Sequence, residues 1–324
     1  MMKPFAYLKA KTPAEALAAL NSKGARIHAG GTDLLGCLHD HLFTVDKVVS
    51  ISGIKEWSGM TGRPDGGLKI GCLTTIASIA ASAVLKEKYA VLAQAASEVA
   101  SPQLREQGTI GGNLCQRPRC WYYRGDFPCA RKGGETCFAV EGENQNHAIF
   151  SNGPCFFVHP SDTAVALSAL QARLTVAGPA GTRTVPIESF FLAPEKAIDR
   201  ENVLEPAEIL TEIHLPAPAA GARSSYRKIR SRQSWDFALT SVALWLQVDK
   251  GMVSQARCWL GGVAPAPWRA AAAEKLLAGK KLNAALAASA GQAAAEGAVP
   301  MRDNAYKVEM VKGAVEESLL RLLA

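Results

Sequence analysis

The stretch ARIHAGGTDLL, residues 25–35, runs from a short apolar strand directly into a pair of adjacent glycines. Adjacent glycines let the main chain approach another group closely, and the exposed amides of such a turn can bind an anion. The stretch is neither a P-loop nor the G-x-G-x-x-G fingerprint, so it does not indicate a Rossmann-type dinucleotide site. Taken alone, it fits a plain tight turn at least as well as a ligand-binding loop.

A second glycine pair occurs in GTIGGN, residues 108–113, again with a hydroxyl and a carboxamide beside it. Two such turns in one chain indicate a single extended phosphorylated ligand held between them. A third element is HPSD, residues 159–162, at a predicted helix start, where free amides and the helix dipole favour a polar or anionic group. Ser161 is at the same time a good helix N-cap.

The bulk properties are those of an ordinary globular protein. The chain has 324 residues, of which 48% are apolar and 20% charged, enough for two compact domains. The net charge of +7 is spread out, with concentrations at residues 117–132 and 223–232, and it lacks the interleaved aromatics of a nucleic-acid platform. We therefore expect no nucleic-acid partner, and these stretches are predicted to face anions or an acidic partner.

The chain begins without a secretory h-region and has no apolar window long enough to span a membrane. These features predict a cytoplasmic protein without a membrane span. Export in the folded state together with a signal-bearing partner remains open.

Periodicity and turn residues predict the order of the secondary structure. A capping box at Thr12, with Pro13 in the first turn, starts a helix that ends before Gly24. Further helices are expected at residues 75–83, 89–100 and 162–172 and in the tail from 268, and strands at 47–51, 68–72, 173–177 and 208–215. Residues 225–229, 241–248 and 256–262 are expected to form strands or a mixture of strand and helix. Residues 216–221 read as a domain linker, and regular patterning largely disappears over residues 101–160.

The irregular interval 101–160 holds most of the cysteines. Cys37, Cys72 and Cys258 stand singly in apolar surroundings and are predicted to be core residues. Five others fall within about forty residues: Cys115, Cys120, Cys129, Cys137 and Cys155. Four thiolates from one loop can hold a 4Fe–4S cluster, but a zinc staple, which usually has a short C-x₂₋₄-C spacing, and two disulfides in an oxidising compartment are the alternatives.

The whole chain resembles the FAD-binding medium subunits of xanthine dehydrogenase-type molybdenum hydroxylases. The resemblance rests on AGGTDL (residues 29–34), TIGGNL (109–114), PSD (160–162) and YRKIR (226–230), which occur in the right order. It implies an α+β fold, with a two-lobed FAD-binding domain of the vanillyl-alcohol oxidase type at residues 1–217. A smaller α+β domain of the CO dehydrogenase flavoprotein type is implied at residues 222–324.

The resemblance also implies which residues contact FAD. The two glycine loops would hold the pyrophosphate, Ala100 and Leu104 would line the flavin pocket, and Lys228 would lie near the isoalloxazine ring. Ser161 and Asp162 would lie near the ribose and adenine end, with Ile209 and Leu210 against the adenine. The loop positions concerned are Arg26, Ile27, His28, Ala29, Gly30, Gly31, Thr32, Asp33, Leu34, Thr109, Gly111, Gly112 and Asn113.

Most members of the family lack the cysteine-rich segment, predicted here as an insertion at about residues 114–158. It is similar to the insertion of periplasmic aldehyde oxidoreductase and 4-hydroxybenzoyl-CoA reductase medium subunits, which implies a 4Fe–4S cluster. The implied ligands are Cys120, Cys129, Cys137 and Cys155. Cys115 is left out because it directly follows the second glycine loop.

The resemblance implies an electron-transfer subunit without catalytic residues of its own. A molybdopterin-bearing large subunit and a 2Fe–2S small subunit would complete a heterotrimer. The external acceptor, whether ferredoxin, quinone, oxygen or NAD, is left open. The alternatives are a free-standing FAD-dependent oxidoreductase with a zinc-stapled loop, for which His28 and His159 are the nearest attachment candidates, and a non-catalytic zinc-stapled scaffold.

Overall fold

The structure is a computed structural model that describes residues 2–323. Its helices are α1 (Pro13–Leu20), α2 (Leu34–His39), α3 (Ile76–Ala81), α4 (Ala83–Lys88), α5 (Ala90–Ser97), α6 (Pro102–Gln107), α7 (Ile110–Leu114), α8 (Trp121–Arg124), α9 (Asp162–Ala169), α10 (Ala271–Leu277), α11 (Ala284–Ala294) and α12 (Tyr306–Leu323). Its strands are β1 (Ala6–Lys9), β2 (Ala25–His28), β3 (Lys47–Ser50), β4 (Met60–Gly62), β5 (Leu68–Gly71), β6 (Arg173–Gly178), β7 (Gly181–Pro186), β8 (Ile209–Leu215), β9 (Ala222–Ile229), β10 (Thr240–Asp249), β11 (Met252–Gly261) and β12 (Trp268–Arg269).

The first lobe is built on a small parallel sheet in the order β1-β3-β2. The capping box predicted for α1 is confirmed, since the Thr12 hydroxyl accepts a hydrogen bond from the Glu15 amide at 3.2 Å. Helix α1 returns the chain to β2, which lies parallel to β3. Because β2 ends at His28, the first glycine loop starts at the carboxyl edge of this sheet, where α/β folds usually bind ligands.

The second lobe is an antiparallel sheet in the order β4-β5-β8-β6-β7. Strand β8 lies at its centre and pairs with both β5 and β6, although these are far apart in the chain. Helix α9 is buried along its whole length, because it packs between this sheet, α5 and the C-terminal sheet. The start of α9 is therefore fixed from several sides, and this start carries Ser161 and Asp162.

The C-terminal sheet is an antiparallel meander in the order β9-β10-β11-β12. Alternate residues of β10 enter different cores: Val242 and Leu244 pack with the C-terminal helices, whereas Ala243 and Trp245 pack with the core of the N-terminal lobes. This follows from the two-residue period of a strand. The sheet is thus covered on both faces, and it carries Lys228 of β9 into contact with the N-terminal part of the chain.

The α+β class predicted from the sequence is confirmed, and so are most elements outside residues 101–160. The prediction was wrong to find so little regular structure in that interval, which contains α6, α7 and α8. These helices are four to six residues long, too short to show an apolar period. The predicted helix over 162–172 ends earlier, at Ala169, and β7 was missed because its side chains are mostly exposed and polar.

Between residues 2 and 323, no helix combines the length and the apolar character needed to cross a membrane.

Candidate functional site

Two cavities meet at the glycine loops. The first, of ≈ 520 Å³, lies between the end of β2, the start of α2 and residues 199–210. The second, of ≈ 420 Å³, lies between α6, the start of α9, β9 and the loop that follows β9. Both are lined by the same four residues, Thr32, Asp33, Thr109 and Gly112. The two cavities therefore form one elongated cleft with the glycine loops at its waist, of a size that suits a large cofactor.

The first glycine loop offers unused main-chain donors to this waist. Among the hydrogen bonds formed within residues 2–323, none uses the amide of Gly30, Gly31, Thr32 or Asp33. Gly31 has a positive φ of +76°, a conformation that side-chain-bearing residues rarely adopt. The loop is thus shaped as a nest of free amides, the arrangement that binds a phosphate group.

The second glycine loop is different, because its amides are already engaged. The Gly111 amide donates to the carbonyl oxygen of Cys72 at 2.9 Å, and the Gly112 amide donates to the Thr109 hydroxyl at 3.2 Å. A Cβ atom on Gly30 would overlap the carbonyl oxygen of Gln107, so the first loop packs directly on the chain that leads into the second. The sequence predicted equal roles for the two loops, but in this structure the second contributes side chains and packing rather than free amides.

Asn113 is the side chain that the second loop presents to the cleft. Its Oδ1 accepts hydrogen bonds from the hydroxyls of Ser161 and Thr163, each at 2.6 Å. With Oδ1 held in this way, Nδ2 is left to face the second cavity, which Asn113 lines. Ser161 also caps α9 by accepting from the Ala164 amide at 3.0 Å, and it lines neither cavity. Ser161 therefore positions Asn113 and the start of α9, and its place near a ribose stays a prediction.

Asp162 and Lys228 form a buried ion pair in the wall of the second cavity. Their charged atoms are 2.8 Å apart, and the side chains are 6% and 1% exposed. The Tyr226 hydroxyl donates to the other carboxylate oxygen at 2.6 Å, and Lys228 also donates to the carbonyl of Glu98 at 3.1 Å. Burial, followed by the charge of Asp162, raises the pKa of Tyr226 far above its usual value, so the phenol stays protonated as a donor.

The sequence prediction put Asp162 near the ribose and adenine end and Lys228 near the isoalloxazine ring, and in this structure the two side chains form one ion pair. Both lie in the cavity that Ala100 and Leu104 also line, whereas Ile209 and Leu210 line the first cavity. One end of the cleft therefore carries a buried ion pair. The other end is lined by Ile209 and Leu210 and also by charged residues such as Glu201.

The remaining predicted positions divide between the cleft and its support. Those that line the first cavity are Arg26, Ile27, Ala29, Gly30, Gly31, Thr32, Asp33, Leu34, Thr109, Gly111 and Gly112. His28 lies behind the loop and lines neither cavity, and its pKa is lowered mainly by burial. His159 is also buried outside the cleft, and burial lowers its pKa to about 3. Neither histidine is placed to attach a cofactor in the cleft.

Arginines from the start of the cysteine-rich segment also shape the cleft, and the sequence did not reveal this role. Asp33 accepts hydrogen bonds from the Arg117 amide at 2.8 Å and from the Arg124 side chain at 2.9 Å, and it pairs with Arg119 at 2.8 Å. The Arg117 side chain pairs with Glu201 at 2.9 Å, on the opposite wall. Arg117 thus ties the two walls together. The basic run predicted a local anion, but no pattern pointed to Glu201.

Four of the cysteines lie near one another without forming a closed site: Cys120, Cys129, Cys137 and Cys155. The pKa of Cys137 is lowered to about 6, chiefly by a hydrogen bond from Cys155 and also by the amides of Ala139, Phe156 and Val140. Cys120 and Cys129 lie close enough for the charge of Cys120 to be affected by both Cys129 and Cys137. Within residues 2–323, no three His, Cys, Asp or Glu side chains lie close enough together to hold a single metal ion.

Two further contacts distinguish these cysteines. The Sγ of Cys120 lies 3.3 Å from Nε2 of His147, whose pKa is lowered to about 4 by burial and by the charge of Lys307. Cys115 stands apart, because it lines the first cavity beside Cys72, and burial raises its pKa to about 12. All eight cysteines are free thiols.

Comparison with known families accounts for nearly the whole chain. Residues 3–218 match the FAD binding domain in molybdopterin dehydrogenase, and residues 224–322 match the CO dehydrogenase flavoprotein C-terminal domain. The chain is 39% identical over 281 residues to the aldehyde oxidoreductase FAD-binding subunit PaoB of Escherichia coli K12, covering 85% of this chain and 86% of that protein. It is 29% identical over 279 residues to the xanthine dehydrogenase FAD-binding subunit of Escherichia coli O157:H7, covering 86% and 80%.

Among solved structures, a chain of the carbon monoxide dehydrogenase from Hydrogenophaga pseudoflava superposes with a TM-score of 0.79 at 27% identity. The superposition covers 99% of this chain and 97% of that one.

Proposed function

The chain belongs to the FAD-binding medium subunits of the xanthine dehydrogenase-type molybdenum hydroxylases, and from this premise we propose that it is an electron-transfer subunit with two redox centres. FAD occupies the elongated cleft, and a 4Fe–4S cluster occupies the cysteine-rich insertion. The observation that carries the proposal is the waist of the cleft, where a loop of free amides lies between the cavity with the buried Asp162–Lys228 pair and the cavity that Ile209 and Leu210 line.

The cleft residues fit FAD part by part. The free amides of Gly30 to Asp33 suit the pyrophosphate, because they supply donors without requiring a charged side chain. Ile209 and Leu210, both buried, form the apolar wall that suits the adenine ring. Ala100 and Leu104 line the other cavity beside Lys228, and this is where the isoalloxazine ring is placed.

FAD supplies the exchange between paired and single electrons on which such a subunit depends. The protein's part is to orient the cofactor and set its electrostatic environment. The Lys228 ammonium is balanced by Asp162 in the same wall, so the ring faces a dipole rather than a bare positive charge. Asn113, held by Ser161 and Thr163, adds a fixed amide donor at the same end.

The four cysteines fit a cuboidal cluster better than a mononuclear metal. In such a cluster each thiolate binds a different iron, so the sulfurs do not need to approach one another as closely as around one ion. Cys120, Cys129, Cys137 and Cys155 are proposed as ligands, and the lowered pKa of Cys137 favours its thiolate form. Cys115 is excluded because it lines the FAD cleft instead. The cluster would add a one-electron relay.

We further propose that residues 1–217 form the FAD-binding domain and residues 222–324 the C-terminal flavoprotein domain. The partners are a molybdenum-cofactor large subunit and a 2Fe–2S small subunit. This chain passes electrons between these two subunits and an external acceptor. Its proposed compartment is the cytoplasm, with joint export beside a signal-bearing partner as the alternative.

Quantification of FAD, iron, sulfide and zinc in anaerobically purified chain tests the proposal. The expected result is one FAD with about four irons and four sulfides per chain. Zinc in place of iron would overturn the cluster and favour a structural staple. Absence of both flavin and metal, even after co-expression with the partner subunits, would overturn the electron-transfer role.

A further inference from the structure

His147 has an unusual place beside the cysteine-rich insertion. Its Nε2 lies 3.3 Å from the Sγ of Cys120, within hydrogen-bond range for sulfur. Of the six histidines of the chain, all within the part that the structure describes, only His147 hydrogen bonds to a cysteine. Its side chain is buried, and its Nδ1 has no hydrogen-bond partner. The contact with Cys120 is therefore the one polar interaction that the ring makes within residues 2–323.

The chemistry of a metal-bound thiolate fixes the direction of this hydrogen bond. A cysteine ligand has lost its proton and can only accept. The contact is then a hydrogen bond only if Nε2 carries the hydrogen and donates it to the sulfur. A donor to a ligand sulfur stabilises whichever redox state holds more negative charge on the cluster, and hydrogen bonds to the sulfurs are among the factors that set cluster potentials.

The C-terminal domain holds His147 in this orientation. The carbonyl oxygen of His147 accepts hydrogen bonds from the Asn304 side chain at 3.2 Å and from the Lys307 ammonium at 3.1 Å. The His147 amide donates to the Asn144 carbonyl at 2.9 Å, and the ring lies edge-on to Trp121 with centroids 5.6 Å apart. The main chain and the ring plane are thus both constrained, so the donor is aimed before any metal binds.

We propose that His147 is a positioning residue that donates its Nε2 hydrogen to the Cys120 sulfur and raises the reduction potential of the 4Fe–4S cluster. This inference rests on the cluster assigned to the insertion under the proposed function. Reduction adds one electron and therefore one negative charge, which the donor stabilises. Through Asn304 and Lys307, the C-terminal domain sets the potential of a centre held by the N-terminal part of the chain.

A pair of substitutions at one position tests the proposal. His147→Phe keeps an aromatic ring but removes the donor, whereas His147→Gln keeps an N–H group. The midpoint reduction potential of the cluster is measured by EPR-monitored redox titration of the full chain. His147→Phe is expected to lower this potential by at least about 59 mV, which corresponds to a tenfold change in the equilibrium constant of a one-electron reduction. His147→Gln is expected to lie closer to the unsubstituted protein. The FAD potential and a His214→Phe control, on the five-stranded sheet, should not change.

Equal cluster potentials in His147→Phe and the unsubstituted protein, with iron and sulfide intact, would overturn the inference. If His147→Phe does not assemble the cluster, a second measurement tests the inference on the unsubstituted protein. This protein is labelled with ¹⁵N-histidine, and its reduced cluster is examined by pulsed EPR. A weak coupling to histidine nitrogen supports the donor, whereas no coupling, or the strong coupling of direct iron ligation, overturns it. Absence of iron from the unsubstituted protein would instead refute the proposed function, which is a separate result.

Discussion

The FAD cleft and the cysteine-rich insertion are built in opposite ways. In the cleft, binding groups are held by other parts of the protein, as Asn113 is by Ser161 and Thr163 at the start of the buried helix α9. In the insertion, the four proposed ligands lie outside the helices and strands, and their thiols approach one another without closing a site within residues 2–323.

This difference shows that the two sites obtain their geometry from different sources. The cleft receives its shape from the fold and is ready before a ligand binds. We expect the insertion to need the proposed metal to complete its geometry, as metal-binding loops commonly do, because binding and local folding are then the same event. Substitutions in the two sites test this difference.

The largest expected effect is the loss of the cluster without loss of the flavin. Cys137→Ser is expected to reduce bound iron from about four atoms per chain to nearly none, while FAD remains bound because Cys137 does not line the cleft. Iron and flavin content measured on the same sample provides the check, with Cys115→Ser as the variant that should keep its iron. Loss of FAD together with iron would break the comparison, since the cleft would then depend on the cluster.

The next effect concerns the ion-paired end of the cleft. Asp162→Asn leaves the Lys228 ammonium buried without its counter-charge, and breaking a buried pair in this way costs about 3–5 kcal/mol. Urea unfolding should show this loss, whereas Asp65→Asn, which breaks the exposed pair with Arg63, should cost less than about 1 kcal/mol. Equal losses in the two variants would show that the cleft wall is not preorganised.

A smaller effect is expected where the two glycine loops touch. Gly30→Ala places a methyl group against the carbonyl oxygen of Gln107, and such overpacking costs about 1–3 kcal/mol. Because the loops must separate, FAD affinity measured by flavin fluorescence should also fall. Gly62→Ala, at a position where a Cβ meets nothing within 4 Å, is the matched control. Unchanged affinity in Gly30→Ala would argue against the first loop as the pyrophosphate site.

The smallest effect is a pH dependence that belongs to the fixed part of the molecule. Burial lowers the pKa of His159 to about 3 from its usual 6.5. Between these two pH values the imidazole is therefore protonated in the unfolded chain but neutral in the folded chain. Stability from this source is present above pH 6.5 and is lost as the pH falls toward 3, by about 1.4 kcal/mol per pH unit.

The free energy of unfolding should therefore fall between pH 6 and pH 5 in the unsubstituted protein. In His159→Phe this fall should be smaller by about 1 kcal/mol. An identical slope in His159→Phe would mean that another group carries it.

The sequence predicted the elements whose signals are local. The Thr12 capping box and the Ser161 cap depend on neighbouring residues, and the structure contains both. The glycine loops and their order were predicted by resemblance, and the cleft has them at its waist.

The sequence could not predict the pairings made at long range. Arg117 with Glu201, Asp162 with Lys228 and Cys120 with His147 join residues that are between 27 and 84 positions apart, with no periodic signal between them. The adjacent Ser161, for example, indicated a helix cap but gave no information about which strand the Asp162 carboxylate would meet. Short helices such as α7 escaped detection because five residues do not define a period.

The hydrogen bonds from Ser161 and Thr163 to Asn113 have a consequence for how such subunits can change over time. They join the residue just before the cysteine-rich insertion to residues just after it, so the whole segment leaves and rejoins the domain at a single point. The entropy of closing a loop rises slowly with its length, so a segment of any size fits between these anchors at little extra cost. A lineage could therefore gain or lose the proposed second redox centre as one unit. Glu201 pairs with Arg117 and Arg131 of this segment, so after its loss Glu201 would need other partners or would have to be replaced as well.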